Sequence, residues 1–178
     1  MQSYEKSHLT AIVLYGLLLI GVPTAIAADK PAVDGSTATT QIADPLSKYR
    51  GATELTDTEL VDLLSLVGFK GNSLKTAWAV AMRESRGHPT SRNENASTGD
   101  NSYGLFQINM IGDLGATRRE KFNIEKNSDL FDPVTNAKAA FYMTGRGTDW
   151  GSWGLGPNAY DGSPGESGVT QWLDKFPS

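Results

Sequence analysis

The sequence predicts a mainly α fold. Apolar residues recur at helical intervals in three separate stretches, each stretch carries start and stop residues at its ends, and no stretch alternates convincingly enough to be a sheet. The first stretch opens on Thr56-Asp57-Thr58-Glu59, which has the spacing of a capping box. It continues through Leu60, Leu63, Leu64 and Val67 and reaches Gly68 as a C-cap. Ser73 caps the second, whose buried face is Leu74, Ala77, Trp78, Ala81 and Met82. That helix ends near Ser85-Arg86-Gly87, because Pro89 pushes His88 out of the helical region. Thr90 to Tyr103 reads as polar loop. A shorter helix is expected over Asp113 to Ile124. Asp132-Pro133 then caps and starts the third strong helix, with Val134, Ala137, Ala140 and Phe141 inward and Gly145 at its end. Beyond Gly145 the chain is rich in Gly, Trp, Ser and Pro, so loops are expected with a last helical piece around Val169 to Phe176. There is no internal repeat.

With 178 residues the chain is one domain plus an appendage. Residues 1–27 are the appendage. Leu9 to Ile20 is an apolar run of signal-peptide length, followed by Pro23 and the small-x-small site Ala25-Ile26-Ala27. Export into the cell envelope or the medium is the favoured reading. An uncleaved signal anchor is the alternative, since Leu9 to Ala28 just spans a bilayer of ~30 Å at ~1.5 Å per residue. Residues 28–48, rich in Ala, Thr, Asp and Pro and without aromatics before Tyr49, read as a flexible linker. The domain is expected over 49–178, as a monomer.

Composition removes several classes of function. Without cysteine there is no thiol catalysis and no zinc-thiolate site, and an exported domain of this kind is held by its core alone. Histidine occurs at His8 and His88, so a Ser-His-Asp triad or a histidine metal cluster would rest on His88 alone. A net charge of −4 with no basic stripe speaks against nucleic acid. Asn93, Asn95, Ser97 and Asp100 suggest a calcium loop, but it lacks the glycine at the sixth position and the acid at the twelfth. No metal and no cofactor is expected.

Glu84 is the residue that asks for an explanation. Counting back by three, four and seven gives Ala81, Val80 and Ala77, so its side chain shares a face with small apolar residues in the last turn of a helix. Burial and the helix dipole both push a carboxyl there toward the protonated form. A carboxylic acid that keeps its proton can donate it to an alkoxide leaving group, as cleavage of a glycosidic bond requires. The bland alternative is a helix-ending residue paired with Arg83 or Arg86.

The downstream motifs weigh against the bland reading. Ser102-Tyr103-Gly104-Leu105-Phe106-Gln107-Ile108-Asn109 resembles the signature of the soluble lytic transglycosylase and goose-type lysozyme superfamily, in which a Glu-Ser pair precedes it; here Glu84-Ser85 stands twenty residues before Gly104. Asn136-Ala137 with Ala140, Phe141 and Tyr142 looks like the family's helix after an Asp-Pro cap. Asp149-Trp150-Gly151-Ser152-Trp153, followed by Tyr160-Asp161-Gly162, is similar to the tail of phage-related and actinobacterial members. The resemblance covers roughly Ser73 to Gly162. It implies a single lysozyme-like domain that cleaves peptidoglycan between MurNAc and GlcNAc.

Residue by residue, the resemblance implies Glu84 as catalytic, Ser85 beside it, and Tyr142 with its hydroxyl at the reaction centre. Gly104 would let a sugar ring approach the backbone beside Tyr103, and Gln107 has an amide donor and acceptor for hydroxyls or N-acetyl groups. Trp150, Trp153 and Tyr160 offer amphipathic rings as subsite walls, whereas Trp78 and Trp172 belong to packing. Asp100 resembles an aspartate of the goose-type lysozymes and would be the base of a hydrolase; the family's other aspartate is here Asn109, which cannot act as one. Transglycosylation with one glutamate is therefore the preferred expectation, and hydrolysis with Asp100 the alternative. A sugar-binding or wall-assembly protein without chemistry is the rival from another class, and an acid on an apolar face argues against it.

Overall fold

The computed structural model describes residues 43–95, 97–155 and 169–177. The expected signal segment, most of the linker and Tyr160 lie outside them. Among the described residues the chain is mainly α, with five helices and one small sheet: α1 (Asp57–Val67), α2 (Gly71–Ser85), β1 (Arg92–Asn95), β2 (Asp100–Tyr103), β3 (Ile108–Asn109), α3 (Gly112–Phe122), α4 (Pro133–Met143) and α5 (Thr170–Leu173).

Local chemistry sets the helix ends. Thr56 and Glu59 form both halves of the capping box on α1, and Gly68, at φ 127°, closes it by donating to Leu64 and Ser65. Asp132 accepts from the Thr135 N–H at 2.8 Å, with Pro133 in the first turn of α4. On α2 the cap is shifted. Lys70 is the N-cap and Ser73 sits three residues later, exchanging hydrogen bonds with the Lys70 backbone. Packed structure begins before Tyr49, because Asp44 turns the chain and accepts from the Leu46 N–H, and both Leu46 and Tyr49 are buried.

α2 is the central helix. Every residue from Thr76 to Met82 is buried, so the middle of the helix is enclosed all round while its two ends reach solvent. α1 and α4 pack together and contribute Leu60, Leu63, Leu64, Val134, Ala137 and Ala140 to the core. Trp78 meets Trp172 and Phe176 edge-on, at 6.2 and 5.7 Å between ring centres, which fixes α5 against α2.

The sheet corrects the expectation of a loop over Thr90 to Tyr103. β1, β2 and β3 form an antiparallel ribbon with Asn93 opposite Ser102, Ser102 opposite Asn109 and Tyr103 opposite Ile108. Its strands are short, and β1 is exposed along its whole length. A strand exposed on both faces has no apolar alternation to betray it.

Candidate active site

α2 ends where the ribbon begins, and Glu84 stands in its last turn. Arg83 Nε donates to Glu84 Oε1 at 2.8 Å, and its Nη2 approaches the same oxygen at 2.6 Å. The same Nη2 donates to the Trp153 carbonyl at 2.8 Å. Both side chains are largely covered, 21% and 24% exposed, so the pair is less screened than a surface ion pair. Of the two partners named by the bland alternative, Arg83 is therefore the one the structure shows, and Arg86 is not. It takes the left-handed conformation that ends α2, at φ 58°, and its guanidinium lies 4.9 Å above the Trp172 ring.

A cavity of about 470 Å³ opens beside Glu84, within the range of about 300–1,000 Å³ usual for ligand sites. Its walls include Glu84, Asp100, Gln107, Asn109 and Trp153, which are five of the residues singled out from sequence. Asp100 reaches it from the start of β2, its carboxylate accepting from the Thr98 hydroxyl at 2.8 Å. Ser102 follows on the same side of the strand, and Asn93, its partner on β1, joins it in the lining. Gln107 is held in a left-handed conformation at φ 45° and donates its amide to the carbonyls of Ser91 and Gly104, at 3.1 and 2.9 Å. Asn109 is bound into the ribbon: its Oδ1 accepts from Asn101 and Ile111, and its Nδ2 donates to Gly99. Trp153 is anchored by its indole N–H on the Phe106 carbonyl at 2.8 Å.

Other candidates lie elsewhere. Ser85 is buried, with its hydroxyl turned back onto the Ala81 carbonyl one turn earlier. Tyr103 follows Ser102 and so takes the opposite side of β2, packed on Phe131 and under Arg92. Gly104 is buried at φ 73°, and a Cβ there would collide with Asn136 Nδ2 and the Leu130 carbonyl. Its missing side chain makes room for protein rather than for sugar. Trp150 is 5% exposed, its ring stacked on Phe69 at 5.8 Å and tilted against Trp153 at 5.7 Å. It supports the wall that Trp153 forms. Tyr142 is 61% exposed and lines an adjoining depression, not the cavity itself.

Sequence reasoning missed Arg118, whose guanidinium lines the cavity and donates to the Asn109 carbonyl. Burial pushes it below its ordinary value. Leu114, one turn before it on α3 and 44% exposed, lines the cavity too. The segment Gly112 to Phe122 carries no signal for this, because which face of α3 closes the cavity is set by packing against distant residues.

A helical domain whose central helix delivers a largely covered glutamate to a polar cavity, facing a short β-ribbon, has the arrangement the sequence resemblance implied. Residues 62–155, more than half of the chain, match the lysozyme-like domain family SLT_3, and the chain belongs to that family. At the level of the family this is a glycosidase-type enzyme acting on peptidoglycan, and so in the cell envelope or outside the cell. No curated protein and no solved structure matches the chain.

Proposed function

We propose that the protein is a lytic transglycosylase that cleaves between MurNAc and GlcNAc with Glu84 as its one catalytic carboxyl, after export through residues 1–27. The observation that carries this reading is the Glu84 carboxyl group, held by Arg83 at the edge of a polar, sugar-sized cavity. In the first step the Glu84 proton passes to the glycosidic oxygen as the bond to the muramic acid C1 breaks, so GlcNAc leaves with a free hydroxyl. In the second, the muramic acid 6-hydroxyl bonds to C1 and returns its proton to Glu84, leaving a 1,6-anhydro end. The carboxylate exists between the two steps, when a neighbouring guanidinium is most useful. Gln107, Trp153 and Arg118 are the contacts this reading assigns to substrate along the same walls. Asn109 is unfit as a base, and its amide is already committed to the ribbon.

One observation favours a second reading. Asp100 lines the same cavity as Glu84, as the water-activating base of an inverting hydrolase must. Mass spectrometry of the muropeptides decides between them, because an anhydro end and a reducing end differ by one water. Anhydromuramyl ends are expected, and Asp100→Asn should then keep activity within ~10-fold of wild type, a change worth about 1.4 kcal/mol or less. Reducing ends from the wild type, with most activity lost in Asp100→Asn, would make the protein a lysozyme.

Arg83 gives a further expected result. Arg83→Met keeps the alkyl packing but loses both the Glu84 contact and the Trp153 carbonyl contact, so kcat should fall about tenfold with the melting temperature little changed. Arg83→Lys should recover only part of this, since a single ammonium lacks the fork that holds two acceptors. Full activity in Arg83→Met would show that Glu84 needs no such support.

A further inference from the structure

A second feature adjoins the cavity, and none of the steps above uses it. Leu114, Arg118, Met143 and Ser152 line the cavity and also a neighbouring depression of about 480 Å³. Lys121, Phe122 and Tyr142 are in turn shared between that depression and a third, of about 440 Å³, which is also lined by Arg50 and Lys138. Shared walls make these one trough, running from Glu84 outward between α3 and α4.

Charge along the outer trough is lopsided. Among the described residues, Arg118, Lys121, Lys138 and Arg50 line it against one carboxylate, Asp149, in a chain whose formal net charge is −4. Arg50 has acidic neighbours, Asp44 at 3.8 Å and Asp132 at 3.9 Å. Lys121 and Lys138 are exposed and make no ion pair among the described residues. Tyr142 lines the same depression as both lysines, its ring edge-on to Phe122 at 6.2 Å. Unpaired cations sharing a depression with an exposed ring suit an extended, acidic chain with some apolar surface.

Reach fits as well. Leu114 and Lys121 are seven residues apart on α3, about 10 Å at ~1.5 Å per residue. An extended peptide covers that in about three residues at ~3.4 Å each.

We infer that the trough takes the peptide stem that muramic acid carries on its lactyl group, with Lys121 and Lys138 recognising the stem's free carboxylates. This rests on the proposed function, since it is the sugar in the cavity that delivers the stem. It makes the enzyme selective for glycan whose stems are present and acidic.

The experiment uses Lys121→Glu/Lys138→Glu in the full chain and three substrates: strands with stems and no phosphate polymer, the same strands stripped of stems by an amidase, and strands still bearing phosphate polymer. On stem-bearing strands kcat/KM should fall about tenfold, and on stripped strands it should stay within about twofold of wild type. Moderate salt should shrink the wild-type preference for stems, as screening predicts. Equal loss on both substrates, or loss on neither, overturns the inference. Loss confined to strands with phosphate polymer also overturns it, by making phosphate the ligand. Cosedimentation of Glu84→Gln protein with stem-bearing and stripped strands, with and without the two lysine changes, repeats the comparison without turnover. A binding difference there supports the stem site even if Glu84 proves not to be the acid, and its absence overturns the stem site even if Glu84 is.

Discussion

Glu84→Gln should leave the protein folded and lower turnover of peptidoglycan at least ~10²-fold, equivalent to about 2.7 kcal/mol of lost transition-state stabilisation. The substitution is close to isosteric. Its amide oxygen still accepts from Arg83 Nε and Nη2, so the link from α2 through Arg83 to the Trp153 carbonyl has no reason to come apart. What disappears is the proton, needed by the leaving oxygen in the first step and taken back in the second. A change that removes a proton-transfer group from both steps lowers kcat without weakening the ground state, so binding to intact strands should persist. Release of soluble muropeptides measures the first quantity and cosedimentation with walls the second. Near-normal clearing of walls by this variant would sink the assignment of Glu84 and leave Asp100 as the remaining carboxylate of the cavity.

The sequence shows this molecule well where chemistry is local and poorly where it is not. α1 and α4 announce themselves because a capping box, an Asp-Pro start and a C-terminal glycine are short-range signals that act on the residues beside them. β1 and β2 are four residues each, RNEN and DNSY, with no apolar stripe; their pairing depends on register with one another and on the Asn109 side chain, which a window of sequence does not contain. Trp150 sits in a Gly- and Ser-rich stretch that looks like a solvent loop, yet its ring finds Phe69, eighty-one positions earlier. At Gly104 the glycine was legible and its reason was not, since the crowding atoms belong to Leu130 and Asn136. Of the candidate site, Glu84, Asp100, Gln107, Asn109 and Trp153 could be chosen from the residues that carry the family resemblance. Arg118 could not, because nothing in its own segment tells which face of α3 closes the cavity.

Asn136→Ala should cost the fold about 4 kcal/mol, because three hydrogen bonds of a buried amide disappear and a buried group left without its partner costs about 1–3 kcal/mol. Asn136 is fully buried on α4. Its Oδ1 accepts from the Phe106 N–H at 3.0 Å, and its Nδ2 donates to the Tyr103 and Leu130 carbonyls, each at 2.9 Å. These bonds join α4, the segment before it and the turn that carries Gly104 to Gln107. That turn presents Gln107 to the cavity, and the Phe106 carbonyl anchors the Trp153 indole, so loss of Asn136 should reach both. Asn136→Asp sharpens the test. A carboxylate could still accept from Phe106, but it faces two carbonyls with no hydrogen to offer and is buried as a charge, so it should destabilise at least as much as alanine. Urea unfolding with an unchanged m-value measures the loss, and a melting temperature lower by about 10 °C or more should accompany it. A cost below about 1 kcal/mol in both variants would mean that solvent reaches this site and replaces the amide, and that the turn is held by its own backbone.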